Sequence, residues 1–434
     1  MKRAIYWFRK NLRIYDNPSL YNAIRDNDEL IMIYIKDYNT FNPKGLNIGE
    51  MGRFRKKFHD ESVLELKNSL KLKDMFLHIL EGDKIEIFEE IRKKLDINSI
   101  YCSKEVGWYE ERDEKKLSDI KFELKMFEDA HLIEEKEIPF NLETLPLIFT
   151  PFRKKVEKNS SVREIIRELP STKKVYKGLN FTLTSEIVID NIENNKDSAH
   201  PFKGGEKEAI KRVKSYLWET HNIANYKNTR NGLVGTEYSS KFSAYLSLGC
   251  ISPVTIYHEV KRYEKEIKKN SSTYWLIFEL MWREFFRYVA RKGGKNIFLL
   301  NGINGNVFNR NFNSNIKNFN KWRNGETGQE FIDANMVELN STGFMSNRGR
   351  QNVASYLINE LDLNWKWGAA YFENKLIDYD VASNWCNWMY MAGVGNNVRN
   401  WVFNPVKQSE VYDKSEKFRS IWLKKKLRQQ IIDF

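Results

Sequence analysis

A chain of 434 residues favours two domains, and its 71 Lys and Arg against 58 Asp and Glu give a net charge of +13 and a pI near 9.2. That excess favours a polyanionic partner such as nucleic acid, unless it reflects only a general bias toward Lys, Asn and Ile. Three distant cysteines without metal-ligand spacing argue against a disulfide framework and a zinc site, and charges within the most apolar segment, residues 274–290, argue against a membrane span.

The first 130 residues alternate short apolar runs with amphipathic segments. Four runs have the length and composition of buried strands: residues 4–8, 30–35, 75–80 and 99–102. Between them, segments 54–70 and 85–95 have apolar residues at roughly helical spacing. Strands that alternate with helices predict a doubly wound parallel sheet, a Rossmann-like α/β domain, over residues 1–130.

This pattern is lost between residues 131 and 200. The stretch contains four prolines, scattered charge and a polar run at residues 191–198. Because Pro and clustered polar residues interrupt regular structure, we predict an interdomain connector over residues 131–200.

From residue 201 onward, the apolar residues follow helical spacing. Three helices are predicted on this basis: residues 206–218, 272–292 and 345–361. The longest is expected to be capped by Ser272 or Thr273 and to end at Gly293 and Gly294. Since no strand pattern of comparable strength follows, we predict an all-α domain over residues 201–434.

Two clusters in this helical half carry hydroxyl groups or charges. Segment 238–243 offers three serines and one lysine after Gly235, a composition that suits phosphate binding and equally suits a helix cap. On the long predicted helix, Glu279, Arg283 and Arg287 lie four residues apart. This spacing indicates either part of a site or a solvated stripe of ion pairs.

Two further segments, 343–351 and 378–388, place small polar residues among Arg, Asp and aromatic residues. Such a mixture is hard to explain as core, because buried polar groups need hydrogen-bond partners. A polar ring system such as isoalloxazine would provide those partners.

Six motifs follow one another across nearly the whole chain: WFRKNLR at 7–13, SKFS at 240–243, LGCISP at 248–253, WREFF at 282–286, TGFMSNR at 342–348 and DYD at 378–380. In kind and order they resemble the signatures of the photolyase/cryptochrome superfamily. Further segments are similar to its cryptochrome DASH branch: RNG at 230–232, DANM at 333–336, GRQ at 349–351 and GVGN at 393–396. The resemblance implies an α/β antenna domain followed by an all-α FAD-binding domain.

The resemblance also implies that the chain binds a U-shaped FAD and repairs cyclobutane pyrimidine dimers in DNA under blue light, by electron transfer from the excited reduced flavin. It assigns cofactor contacts to these positions: Tyr226, Ser239, Ser240, Lys241, Phe242, Ser243, Glu279, Arg283, Asn347, Arg350, Asp378, Asp380 and Asn384. Among them, Arg350 and Asp378 are expected to form an ion pair against the flavin, and Asn384 is expected to face flavin N5.

Substrate contacts are implied in the same way. Glu279 matches the carboxylate that hydrogen-bonds the bases of the dimer, and Trp282 matches a residue beside the flavin and the substrate cavity. Arg348 and Arg399 are candidates for holding the DNA phosphates, unless they are ordinary surface charges. Gln351 stands where most repair enzymes of the superfamily have Met, which favours single-stranded DNA as the substrate.

In members of the superfamily, a chain of tryptophans supplies electrons to the flavin. Trp388 and Trp365 match its inner and middle members, but the distal position falls on Phe312. Because phenylalanine is far harder to oxidise, the usual exit is expected to be blocked. We expect either slow reduction or diversion through Trp322.

Two positions in the α/β domain complete the comparison with the superfamily. Glu105 matches the carboxylate that contacts a folate antenna, 5,10-methenyltetrahydrofolate, with a surface glutamate at a strand end as the alternative. Asn11 replaces the Asp of most members, which is expected to weaken one interdomain polar contact.

A blue-light photoreceptor with a signalling partner is the alternative function. Sensors of the superfamily often carry a long C-terminal extension, whereas only a short segment follows the last helical pattern here, which favours the enzyme. We expect a monomer in the cytoplasm, because the N-terminal apolar run is too short for the core of a signal peptide.

Overall fold

The computed structural model describes residues 2–41, 43, 46–171, 175, 181–304, 312–396 and 401–432, with side chains described as far as residue 424. Arg399, a predicted DNA contact, lies outside the described residues. Within the described ranges, no helix combines the length and the apolar composition needed to cross a membrane.

A five-stranded parallel sheet forms the core of the N-terminal α/β domain. Its strands are β1 (Arg3–Phe8), β2 (Glu29–Lys36), β3 (Leu77–Glu81), β4 (Ser99–Ser103) and β5 (Glu123–Phe127), in the order β3-β2-β1-β4-β5. The helices are α1 (Pro18–Asp26), α2 (Arg53–Lys71), α3 (Lys84–Leu95) and α4 (Trp108–Asp119). The predicted doubly wound parallel fold is therefore confirmed. The direction of the strand order reverses between β1 and β4, where such sheets open a crevice at their carboxyl ends.

Strand β5 was not predicted from the sequence. It lies at the edge of the sheet, and its five residues are half-buried or exposed rather than fully buried. The continuous apolar run that indicates a central strand is therefore missing at this position.

The predicted interdomain connector, residues 131–200, contains helix α5 (Phe149–Asn159), which the sequence did not indicate. Phe149, Phe152 and Val156 are buried on one face of this helix. Pro146 and Pro151 hide this spacing in the sequence. Pro151 lies in the first turn, where the N–H that proline lacks would have no partner within the helix.

The helical domain consists of α6 (Glu206–Lys214), α7 (Tyr226–Thr229), α8 (Ser243–Ser247), α9 (Pro253–Glu266), α10 (Ser271–Gly293), α11 (Ile316–Asn324), α12 (Glu330–Thr342), α13 (Asn347–Ser355), α14 (Trp365–Lys375), α15 (Val381–Ala392), α16 (Pro405–Tyr412) and α17 (Lys417–Ile432). Helices α6 and α13 continue as π-helical turns, Ser215–Glu219 and Tyr356–Glu360. Three short 3-10 turns are Glu135–Glu137, Asn222–Asn225 and Gly294–Phe298. An all-α second domain is thus confirmed.

Helix α10 begins one or two residues earlier than the sequence suggested. The Asn270 side chain accepts hydrogen bonds from the backbone N–H groups of Ser272 and Thr273, and Thr273 Oγ1 accepts one from the Asn270 N–H. The cap is therefore Asn270, and the prediction of Ser272 or Thr273 was wrong. Thr273 is the third residue of the helix and completes a capping box with Asn270. Its hydroxyl group takes part in the cap without being the cap residue.

The two domains meet where residues 10–13 lie against Gly249. Gly249 has a φ of +66°, and a Cβ atom there would lie 2.1 Å from the carbonyl oxygen of Lys10. Arg13 is fully buried at this junction and donates hydrogen bonds to the carbonyl oxygens of Asp16, Asp129 and Gly249. One guanidinium thus satisfies three backbone acceptors from both domains, as buried carbonyl groups require.

Asn11 does not make the interdomain contact that was expected of this position. Its side-chain amide donates to Asp129 Oδ2 at 2.7 Å, to Ser19 Oγ and to Tyr6 Oη, all within the α/β part of the chain. The amide suits this site because burial already raises the pKa of Asp129, and a second carboxylate would face it.

We predict that Asn11→Asp destabilises the protein by about 3 to 5 kcal/mol at pH 8, the usual cost of an uncompensated buried charge. The new carboxyl would have a folded-state pKa above its unfolded value of about 3.9, so the penalty should shrink as the pH falls toward 5. Urea unfolding at both pH values measures this. Asn141→Asp, in an exposed turn, should stay within about 0.5 kcal/mol of the wild type. A pH-independent loss in Asn11→Asp would contradict the account.

Candidate functional site

A cavity of about 550 Å³ opens in the helical domain, within the size range of cofactor sites. Sixteen of the residues predicted from the sequence line it: Tyr226, Ser239, Ser240, Lys241, Phe242, Ser243, Glu279, Trp282, Arg283, Asn347, Arg350, Gln351, Asp378, Asp380, Asn384 and Trp388. Residues that are up to 162 positions apart in the chain, Tyr226 and Trp388, therefore share one cavity. No described group of three or more His, Cys, Asp or Glu side chains is arranged to hold a metal ion.

One part of the wall is formed by the hydroxyl-rich segment before α8. Lys241 has a φ of +62° and is buried, with its ammonium 3.0 Å from Ser239 Oγ and over the ring of Tyr238. Burial lowers the pKa of Lys241 well below its usual value, and nearby Arg212 lowers it further. An anionic group bound at this wall would stabilise the charged form of Lys241.

The predicted ion pair between Arg350 and Asp378 is present. Arg350 Nη2 donates to both carboxylate oxygens of Asp378, at 3.0 and 2.8 Å, and Arg350 Nε donates to the carbonyl oxygen of Met345. Asp378 is almost fully buried, while a quarter of the Arg350 side chain is exposed. The pair therefore offers a fixed positive group at the cavity wall.

Asp380 forms a second charged centre. Burial alone would raise the pKa of Asp380, but the guanidinium groups of Arg283 and Arg287 and the N–H of Ser383 outweigh it and hold the pKa at about 2. Arg287 is buried with Nη1 3.6 Å from Asp380, and its Nε and Nη2 have no hydrogen-bond partner among the described residues. Asp380 thus stays ionised across the physiological pH range.

The charges on α10 do not form the solvated stripe of ion pairs that was the alternative interpretation of their spacing. Glu279 pairs with Arg230, and Arg283 donates to the carbonyl oxygen of Ala130 at 2.7 Å. Burial raises the pKa of Glu279, and Arg230 opposes that shift. Arg230 belongs to the RNG segment but was not predicted as a site residue, because sequence spacing gives no sign of its approach to α10.

Aromatic rings form the remaining walls. Trp282 stacks on Phe149 of α5 with ring centroids 3.7 Å apart, and Tyr390 lies 6.4 Å from Trp282. The amide of Asn384 donates to the carbonyl oxygen of Ala369, which fixes its orientation at the cavity. Neither Phe149, which supports Trp282 from behind, nor Tyr390, which lines the cavity, was singled out from the sequence, since both positions depend on the packing of α5 and α15 around α10.

Four predicted residues lie outside the cavity lining. Trp365 is buried and donates to the carbonyl oxygen of Leu300, and Trp322 is buried against Trp388 with ring centroids 6.3 Å apart. Arg348 lies over the ring of Tyr412 and reaches Asn231 rather than the cavity.

Glu105, the fourth, is buried after β4, so its alternative interpretation as a surface glutamate was wrong. Its Oε1 has no hydrogen-bond partner among the described residues. Glu105 raises the pKa of both Arg9 and Lys10, which places it in a charged cluster of the α/β domain.

Comparison with known proteins gives concordant matches. The family model described as DNA photolyase matches residues 4–173, and the one described as the FAD binding domain of DNA photolyase matches residues 275–431. A Cryptochrome DASH from Synechocystis sp. is 41% identical, with 97% of this chain and 87% of the relative covered.

Two solved structures show the same fold. The crystal structure of a Synechocystis cryptochrome superposes with a TM-score of 0.90 and 40% identity, covering 97% of this chain and 88% of that one. An archaeal photolyase from Sulfolobus tokodaii, described as holding two FAD molecules, gives a TM-score of 0.74 and 27% identity, covering 97% and 90%.

We predict that Asp378→Ala lowers the free energy of unfolding by about 2 to 3 kcal/mol, below the usual range for a broken buried pair because Arg350 is partly exposed. Thermal unfolding without added ligand measures the loss. Lys136→Ala removes the exposed partner of Glu134 and should change stability by less than about 1 kcal/mol. Equal effects of the two substitutions would show that the Arg350–Asp378 pair contributes no more than a surface contact.

Proposed function

The chain belongs to the cryptochrome DASH branch of the photolyase/cryptochrome superfamily, and from this premise we propose that it binds FAD in the cavity and repairs cyclobutane pyrimidine dimers under blue light. The observation that carries the proposal is the convergence of hydroxyl groups, a lysine, the Arg350–Asp378 pair, the carboxylate of Asp380 and an oriented amide on one cavity. We further propose single-stranded DNA as the preferred substrate.

The donor set of the cavity fits an FAD molecule. The serines around Lys241 offer hydroxyl groups to a pyrophosphate, whose charge would support the buried ammonium. The guanidinium of Arg350 and the amide of Asn384, both in the cavity lining, offer partners to the polar edge of an isoalloxazine ring. A bound, reduced flavin supplies the light-driven electron donor that photolyases use.

The protein's own part in the reaction is to position the two partners. Trp282 and Tyr390 provide aromatic faces on which unstacked bases could rest, and Glu279 provides a carboxylate that could accept hydrogen bonds from their edges. Burial raises the pKa of Glu279, and the guanidinium of Arg230 beside it opposes that rise. No acid, base or metal from the protein is required by this scheme.

The preference for single strands rests on Gln351. Its Oε1 is buried at the cavity wall with no hydrogen-bond partner among the described residues. A base flipped from a duplex would meet this polar group, whereas a flexible single strand can adjust to it. Arg348 remains a proposed phosphate contact through its position after the exposed Asn347.

A folate antenna in the α/β domain is a further part of the proposal. Glu105 Oε1, which has no hydrogen-bond partner within the described part of the chain, is a buried acceptor and suits an N–H donor such as those of a pterin ring. The neighbouring Arg9 and Lys10 add positive charge near the same carboxylate.

The decisive test is repair itself. The protein should purify with one FAD per chain, and illumination should restore thymines in dimer-containing single strands faster than in duplexes, with binding that weakens steeply as salt rises. Glu279→Gln should lower repair without lowering flavin content. Bound flavin with no repair of either substrate would contradict the enzyme and favour the alternative, a blue-light photoreceptor.

We predict that Gln351→Met improves binding of dimer-containing duplexes by about 1 to 3 kcal/mol, the range for relieving an unpaired buried polar group. Single-stranded dimer DNA is the internal control, because its binding should change much less. Equilibrium titrations of both DNAs at one salt concentration measure the ratio. An unchanged ratio would show that Gln351 does not determine strand preference.

A further inference from the structure

The buried carboxylate of Glu373, on α14, accepts three hydrogen bonds. The backbone N–H of Phe41 donates to Oε1 at 2.9 Å, whereas the phenol of Tyr379 and the indole of Trp385 both donate to Oε2, at 2.7 and 3.0 Å. Trp385 Nε1 is also 3.3 Å from Tyr379 Oη. Tyrosine and tryptophan are the protein side chains that lose an electron most readily, and here they share one proton acceptor.

A path of rings joins this group to the cavity. Trp388 lines the cavity and lies directly on Gly368, where a Cβ atom would come within 2.2 Å of its ring. Gly368 is one helical turn after Trp365, whose ring centroid is 5.9 Å from that of Trp385. Trp365 therefore leads toward Trp385.

We propose that Tyr379 is the terminal electron donor of this path, with Glu373 as its proton acceptor. The inference rests on the proposed function, because the oxidant is the light-excited oxidised flavin that the cavity would hold. A bound flavin excited by light would take an electron from Trp388, and Trp388 would be reduced again in turn from Trp365 and Trp385. Tyr379 then gives an electron to oxidised Trp385 while its O–H proton moves to Glu373 Oε2, which leaves neutral Trp385, a neutral tyrosyl radical and a neutral glutamic acid. An external thiol reduces the tyrosyl radical by giving it a hydrogen atom, and Glu373 returns its proton to solvent.

Two charges near Tyr379 explain why its proton must leave with the electron. Burial and the Glu373 carboxylate raise the pKa of Tyr379 well above its usual value, so the resting phenol keeps its proton. The guanidinium of Arg55 lies over the same ring, 4.5 Å from its centroid, and disfavours a positive charge there. Transfer of the proton to Glu373 avoids that charge, because the product is a pair of neutral groups in a buried site.

A second tyrosine in the helical domain provides a matched control. Tyr371 packs 5.9 Å from Trp322, which itself contacts Trp388 at 6.3 Å. However, the phenol of Tyr371 donates to the amide oxygen of Asn340 and the carbonyl oxygen of Arg323, which are neutral acceptors. Tyr371 therefore also packs against a tryptophan, but its phenol has no carboxylate among the described residues to accept its proton.

The experiment is a blue flash on the purified, flavin-loaded protein, followed by transient absorption and by electron paramagnetic resonance with ring-deuterated tyrosine. The wild type and Tyr371→Phe should form a long-lived tyrosyl radical whose hyperfine pattern narrows on deuteration. Tyr379→Phe should lose that signal and leave a tryptophan radical. Glu373→Gln should slow its formation by about 100-fold or more, the contribution of a positioned general base.

A tyrosyl radical that survives Tyr379→Phe, or a wild type that forms only tryptophan radicals, would overturn the proposal. Tyr379→Phe is the decisive variant because it keeps the ring, whereas Glu373→Gln also changes the bonds to Phe41 and Trp385. An ultraviolet flash that ionises tryptophan tests the same step without the flavin, and the tyrosyl yield should again fall in Tyr379→Phe and not in Tyr371→Phe. A chain that purifies without flavin would refute the proposed function, and the ultraviolet arm would still decide the role of Tyr379.

Discussion

Along α10, Glu279, Arg283, Arg287 and the neighbouring Glu284 are held in or beside the core, and none of these charges is satisfied by another of the four. Glu284 accepts hydrogen bonds from His131 and from the N–H of Leu132, at 2.7 and 2.8 Å. A buried charge left without a partner is costly, so these pairings fix where the connector and the cavity wall must lie. The register of this one helix therefore sets the spacing between the α/β domain and the site.

The need of buried charges for partners also explains why carboxylates that are close in sequence pair with different groups. Asp378 and Asp380 face separate guanidinium groups, and the arginines beside Asp380 hold its pKa at about 2. Tyr379, between them, turns instead to Glu373. The turn that ends with the hydrogen bond from the Tyr379 N–H to the Leu376 carbonyl oxygen brings all three residues to the cavity, while the Tyr379 phenol reaches the shared carboxylate.

Around the cavity, electrostatic support is built in before a ligand arrives. Lys241 is buried with its pKa lowered, Arg350 is held by Asp378, and the amide of Asn384 is held in one orientation. Groups arranged in this way lose little further entropy on binding, which is the physical meaning of a preorganised site. They also explain why such a polar set can exist inside an otherwise apolar helical domain.

Local pattern determined a large part of this protein. The spacing of apolar residues and the apolar runs were sufficient to predict the parallel sheet and the helical domain. The motifs were sufficient to identify sixteen residues that line one cavity and the Arg350–Asp378 pair. Strand β5 and helix α5 were not predicted from the sequence. The edge strand lacks a fully apolar run, and prolines interrupt the helical spacing of the buried residues of α5.

Other features depend on contacts between residues that are distant in the chain. The pairing of Arg230 with Glu279, the stacking of Phe149 on Trp282 and the contact of Trp322 with Trp388 join different helices. Glu373 carried no signal in the sequence, since a glutamate in a helix is ordinary until the fold brings a phenol and an indole to the same oxygen. Sequence spacing reports which side chains share a face of one element, whereas only tertiary packing decides which faces meet, because burial of apolar surface is not directional and buried polar groups must then find partners in the resulting arrangement.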